Sequence, residues 1–188
     1  MALTSLLALT GLLLWAAFEL LLRRRDPAAA DWRATPGDRG STRFLLVAYA
    51  LSILITLVLT PETVGAVPTA WRWAGIALIV LGLALRAWGM RTLGRFYTRT
   101  LRTVRDQPLI QDGPYRLIRH PGYAGSLLVW TGYCLGRGNG IALLLVAALL
   151  LAAYSWRIAT EERLLLATFG EEYAAYQRRT KRLVPYVY

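Results

Sequence analysis

The chain reads as an all-α integral membrane protein with five transmembrane helices. Three observations predict this. Apolar residues make up 56% of the 188, above the roughly 45–50% of a soluble domain, and they gather in runs long enough to cross a bilayer. The basic residues, which give a net charge of +11, fall mostly between those runs rather than along one face of a soluble domain. That pattern points to juxtamembrane charge and away from nucleic acid. Finally, the chain has one cysteine, Cys134, and one histidine, His120. Neither an internal disulfide nor a multi-cysteine zinc site is available, so metal chemistry is not expected. Cys134 lies inside an apolar run, as a packing residue would.

The spans follow in order. The first runs from Leu3 to Leu22. It lacks a basic start and a small-residue cleavage site, so it reads as a span and not as a signal peptide. The second covers about 44–60 and closes at Thr60-Pro61. The third covers 71–90, the fourth begins at Pro121 and fades at Leu135, and the fifth covers 141–156. "GRGNG" between the last two is a tight polar turn, which makes them a helical hairpin. "GYCLG" in span four has small-xxx-small spacing, suited to packing against a sister helix or within the same chain. The whole chain, 1–188, reads as a single membrane domain.

Charge placement sets the direction. The segments after spans one, three and five carry six, seven and six basic residues, while the other two connections are marked only by Arg72 and Arg137. Positive charge held inside puts the N-terminus outside and the C-terminus in the cytoplasm. Arg86 lies within span three; it either snorkels to the interface or faces a polar cavity. Glu19 stands four residues before Arg23, where a helical pair would satisfy it.

Three segments then lie on the cytoplasmic side. Residues 23–43 are rich in Pro, Gly and Asp and read as a linker. Residues 91–120 contain "TRTLRTV" at 98–104, partly alternating and compatible with an extended segment, and a "DGPY" turn signal. Pro121 suits the first turn of span four. His120 therefore stands at a helix entrance, where unpaired backbone N–H groups favour anions. The third segment continues span five as a helix through Phe169, breaks at Gly170 and resumes as a short amphipathic helix with Tyr173 and Tyr176 packed at helical spacing. "RRTKR" after it suits anionic lipid headgroups. Arg157 and Glu161, four residues apart, share one helical face, and Glu162 lies on another. Taken singly, each of these residues has a structural account. Together, one histidine, several tyrosines and an Arg-x-x-x-Glu face converge on the inner membrane boundary. A site there is open to a soluble cofactor from the cytoplasm and a lipophilic acceptor from the bilayer.

"GPYRLIRHPGYAG" at 113–125, followed by "RIATEERLLLATFGEEYAAYQRRTKRLVP" from Arg157, resembles the isoprenylcysteine carboxyl methyltransferases and their prokaryotic relatives. The resemblance covers roughly 91–185; spans one to three match in kind only. It implies a prokaryotic cell-membrane methyltransferase that uses S-adenosylmethionine and no metal. The acceptor would be lipophilic, either a small molecule or a lipidated one, and in the family it is a prenylcysteine carboxylate. The cofactor region would be about 98–123 and 157–185, ending in a C-terminal cytoplasmic helix. Carried over by motif, Gln107, Pro108, Leu109 and Ile110 would line the cofactor. Tyr115, His120, Pro121, Gly122 and Tyr123 would form the rest of the wall, and Glu161 would hold a polar group. Arg157 would face the acceptor as the catalytic residue. Thr100 departs from the glutamine that eukaryotic members tend to carry. "RHPxY" also resembles a stretch of membrane sterol reductases, which are longer. An oxidoreductase with a nicotinamide cofactor is thus the alternative, although no Gly-rich dinucleotide fingerprint accompanies it.

Overall fold

The computed structural model describes residues 2–25, 40–59, 65–94 and 108–185. Gln107, Thr100 and the 98–104 stretch lie outside the described residues. Within the described residues six α-helices follow one another: α1 (Leu3–Arg25), α2 (Ser41–Val58), α3 (Thr69–Leu93), α4 (Pro121–Arg137), α5 (Gly140–Phe169) and α6 (Glu171–Arg179), with a 3-10 turn at Gly113–Arg116 before α4. Among the described residues there is no strand, only two isolated bridges, Ala66 with Asn139 and Ile118 with Lys181.

Among the described residues, four helices are long and apolar enough to cross a membrane: Leu3–Leu21, Ser41–Val58, Thr69–Leu93 and Gly140–Phe169. Their outward faces carry exposed Leu13, Leu20, Leu54, Leu57, Val80, Leu81 and Leu144. Water would penalise such a surface and lipid does not. On α3 the exposed Trp71 and Trp88 stand about 25 Å apart along the axis. That separation suits aromatic anchors at the two interfaces of a hydrocarbon layer about 30 Å thick.

The fourth expected span is different in kind. α4 has 17 residues, 11 of them buried, because it is the central packing element and not an outer wall. Glycines let it approach α3 closely. A Cβ on Gly82 would lie 2.5 Å from the Gly125 carbonyl oxygen, and one on Gly132 would lie 2.5 Å from that of Gly75. The pairs recur every seven residues on both helices, so one backbone seam runs along the contact. The small-xxx-small stretch is used within the chain: Gly132 meets Gly75 and Ile79, and Gly136 meets Ala8 and Ile76.

The hairpin forms at the predicted turn. Gly138 adopts φ 91° at the end of α4, and the Asn139 side chain accepts from the Ala142 amide at 2.8 Å to cap α5. α5 then continues for 30 residues, about 45 Å. It therefore outruns the hydrocarbon layer and carries Arg157, Glu161 and Glu162 past its apolar portion. Gly170, at φ 52°, breaks the chain into α6.

Two charged residues pair between helices. Arg86 is buried, so it does not snorkel to the interface. Its Nη1 donates to the Gly122 carbonyl at 2.8 Å and to Ser126 Oγ at 2.7 Å, and its Nη2 pairs with Glu19 of α1. Glu19 thus has a partner on α3, 67 positions away; the local pair expected with Arg23 rests on a side chain outside the described residues. An arginine inside an apolar bundle requires such a counter-charge. Trp15 Nε1 also donates to Ser126 Oγ, at 3.1 Å. From there an aromatic column leads to the start of α4. Trp15 meets Trp130 edge-on at 5.5 Å, Tyr49 stacks on Trp130 at 5.5 Å, and the Tyr49 and Tyr154 hydroxyls are 3.0 Å apart. Tyr154 stacks on Tyr123 at 5.3 Å, and Tyr123 on His120 at 5.7 Å.

Candidate active site

The entrance of α4 is assembled by three segments. His120 occupies its N-cap position with Pro121 next. The His120 amide donates to the Arg182 carbonyl at 3.0 Å and the Arg119 amide to that of Lys181 at 2.8 Å, so the stretch after α6 lies parallel to residues 118–120. α6 covers the 3-10 turn, with the Tyr176 hydroxyl donating to the Tyr115 carbonyl at 2.7 Å. α5 brings two adjacent carboxylates against this frame.

Successive helical residues point about 100° apart, and the two carboxylates separate accordingly. Glu161, with a side chain 30% exposed, accepts from the Tyr123 hydroxyl at 2.9 Å. Glu162 is buried. Its Oε1 accepts from Arg119 Nε at 2.7 Å, and its Oε2 accepts from Arg182 Nε at 3.0 Å. His120 lies between them, with Nε2 3.4 Å from Glu162 Oε1 and Nδ1 4.0 Å from Glu161 Oε2. Arg119 also donates to the Gln177 carbonyl at 3.2 Å and to the carbonyl of Thr180. Glu162 and Arg119 therefore tie α5, the α4 entrance and the end of α6 together through charge-assisted bonds.

Arg157, one turn before Glu161, is buried. Its Nε donates to the Tyr123 hydroxyl at 3.3 Å, and its Nη1 donates to Thr42 Oγ1 at 2.7 Å and to Ser41 Oγ at 3.1 Å. Tyr123 thus accepts from the arginine and donates to the glutamate. The Arg-x-x-x-Glu face expected from spacing meets one phenol.

The remaining candidates fall around this cluster. Gly122 supplies the carbonyl that Arg86 holds. Pro108 is exposed, and Leu109, Ile110 and Tyr115 are half-buried on the approach to the 3-10 turn. Tyr173 and Tyr176 pack edge to face at 5.9 Å. Burial, reinforced for Tyr173 by the Glu162 and Glu161 charges, pushes both phenols above their ordinary range, so they remain neutral O–H groups. The Tyr173 hydroxyl is buried and has no hydrogen-bond partner among the described residues.

Spacing alone does not reveal Glu162, Arg119, Ser41 or Thr42. Glu162 is adjacent to a candidate, and only tertiary packing tells the pair apart. Ser41 and Thr42 stand at the end of a stretch whose composition is that of a linker. Their only signal is two hydroxyls at the start of an apolar run.

A family model described as the isoprenylcysteine carboxyl methyltransferase family matches residues 75–167. The chain is 31% identical over 146 residues to protein-S-isoprenylcysteine O-methyltransferase B of Arabidopsis thaliana, covering 74% of each. It is 29% identical over 121 residues to protein-S-isoprenylcysteine O-methyltransferase of Schizosaccharomyces pombe, covering 63% of this chain and 51% of that one. A solved eukaryotic intramembrane Ras methyltransferase shares the fold, with a TM-score of 0.61 at 20% identity over 85% of this chain and 56% of the other.

Proposed function

The chain belongs to the isoprenylcysteine carboxyl methyltransferase family, and from that premise we propose that it methylates a carboxylate of a lipophilic, prenylcysteine-like acceptor, using S-adenosylmethionine, at the inner face of a membrane. The observation that carries the reading is the Arg157–Tyr123–Glu161 junction, which sets a cation and an anion on either side of one phenol at the end of an apolar bundle. The named relatives are methyltransferases, so the oxidoreductase alternative is set aside. In this reading α4 is the fourth of five spans and lies in the interior, the N-terminus is outside, and α6 lies in the cytoplasm as part of the cofactor region.

The residues fit the cofactor. S-adenosylmethionine carries a sulfonium, an ammonium, a carboxylate and an adenosine, and it supplies an electrophilic methyl group. Glu161 is partly exposed and suits the ammonium. The buried Tyr173 hydroxyl, without a protein partner among the described residues, offers a further polar contact. His120 and the entrance of α4 suit the carboxylate. Pro108, Leu109, Ile110 and Tyr115 offer apolar and aromatic surface to the adenosine, and Gln107 belongs to the same wall by motif.

Arg157 would hold the acceptor carboxylate as an anion through its planar fork. An ionised carboxylate has no proton to lose, so no side chain need act as a general base. Transfer makes an O–C bond as the S–C bond breaks, so alignment and exclusion of water carry the rate. The test is calorimetric binding of S-adenosylhomocysteine beside a methyl-transfer assay with an N-acetylated S-prenylcysteine. Arg157→Lys and Arg157→Ala should keep cofactor affinity within about 2-fold and lose most turnover, because lysine lacks the fork. Equal loss of cofactor affinity in both variants would assign Arg157 to the cofactor side. Binding of NADPH in place of S-adenosylhomocysteine would restore the oxidoreductase.

A further inference from the structure

The acceptor side of the site depends on a helix start that composition marks as the end of a linker. α2 begins at Ser41, directly after Gly40 at φ 78°. Further along the same helix, Ser52 Oγ donates to the Ala48 carbonyl at 2.8 Å and Thr56 Oγ1 to that of Ile53 at 2.8 Å. Mid-helix hydroxyls commonly do this. Ser41 and Thr42 sit in the first turn of α2, and their oxygens accept from Arg157. Both bonds go to Nη1, at 3.1 and 2.7 Å, while Nε is held by Tyr123 at 3.3 Å. Bonds on two different nitrogens fix the rotation of the guanidinium plane. Ser41, Thr42 and Tyr123 each offer a neutral hydroxyl oxygen to the guanidinium. α2 is itself held on α5 by Phe44 against Trp156 at 5.1 Å and by the Tyr49–Tyr154 hydroxyl contact at 3.0 Å.

We propose that Ser41 and Thr42 are positioning residues that aim the Arg157 guanidinium, and that through it they give the enzyme its preference for an acceptor carboxylate over the corresponding uncharged amide. This rests on the reading that Arg157 faces the acceptor. The test compares wild type, Ser41→Ala, Thr42→Val, the double variant and Thr42→Ser. Three quantities are measured: S-adenosylhomocysteine affinity, kcat/KM for an N-acetylated S-prenylcysteine, and the ratio of inhibition by a prenylcysteine acid to that by its amide. The double variant should keep cofactor affinity within about 2-fold and lose about 10-fold or more in kcat/KM, the scale of a charge-assisted bond. The acid-to-amide ratio should fall by a similar factor, and Thr42→Ser should stay near wild type. Unchanged kcat/KM and ratio in the double variant would overturn the proposal. So would a parallel loss of acid, amide and cofactor binding, which would make both hydroxyls structural. A wild-type protein that neither binds S-adenosylhomocysteine nor methylates the acceptor would refute the underlying function, and the positioning role with it.

Discussion

Glu161 and Glu162 are neighbours in sequence with opposed environments, and substituting each by alanine should separate stability from binding. Glu162 is 5% exposed in its side chain and faces Arg119, itself 8% exposed, at 2.7 Å. Its removal leaves a buried guanidinium without that carboxylate, an effect of roughly 3–5 kcal/mol. For a domain of this size each kcal/mol moves Tm by roughly 2–4 °C, so Glu162→Ala should lower it by about 6–20 °C. Glu161 is 30% exposed and gives up one phenol bond at 2.9 Å, worth about 0.5–1.5 kcal/mol. Its Tm should move by only a few degrees. In exchange, Glu161→Ala should weaken S-adenosylhomocysteine binding by about 10- to 150-fold, the range for losing a bond to a charged group. Thermal unfolding and calorimetry on the same detergent-purified variants measure both quantities. If Glu161→Ala unfolds as early as Glu162→Ala while keeping full affinity, the two roles are reversed and the division of labour proposed for them is wrong.

The other predictions concern packing and direction. Gly132→Ala would put a Cβ 2.5 Å from the Gly75 carbonyl oxygen; a backbone atom cannot step aside as a side chain can, so a loss of about 1–3 kcal/mol is expected. Gly122→Ala, whose Cβ would come no nearer than 3.7 Å, to Arg86 Nη1, should unfold near the wild-type temperature; equal destabilisation of the two would refute the α3–α4 seam. In a Cys134→Ala background, Arg137→Cys should react with an impermeant thiol reagent from outside the cell and Gln177→Cys only after permeabilisation, and the reverse pattern would invert the proposed topology.

What was legible in the sequence had a local signature. α5 continuing to Phe169 and breaking at Gly170 followed from helical spacing ended by a glycine. The His120–Pro121 entrance followed from the preference of proline for a first helical turn. The Arg157–Glu161 face followed from an i,i+4 count. Contacts between residues far apart in sequence had no such signature. Nothing local paired Glu19 of α1 with Arg86 of α3. Length and hydropathy could not rank α4 as interior, because a glycine-rich apolar helix suits both a lipid wall and a packed centre. The signal that distinguished them was the seven-residue recurrence of Gly75, Gly82 and Gly89 against that of Gly125 and Gly132.

The arrangement also explains why a buried pair deep in the bundle bears on chemistry at its edge. Arg86 donates to the carbonyl of Gly122 and to Ser126, so the first turns of α4 are fixed from α3, and through Glu19 from α1. Tyr123 follows Gly122 directly, and its hydroxyl is the atom shared by Arg157 and Glu161. On the opposite side, Arg119 and Glu162 hold the residues just before α4 to α5 and to the end of α6. The entrance is thus clamped by two buried ion pairs, one on each side of His120. Burying ion pairs costs solvation and adds little to net stability, while breaking one is costly. Such pairs therefore specify one arrangement more than they strengthen the fold. A displacement reaction that depends on alignment has use for that specification at the helix end where the cofactor and the acceptor would meet.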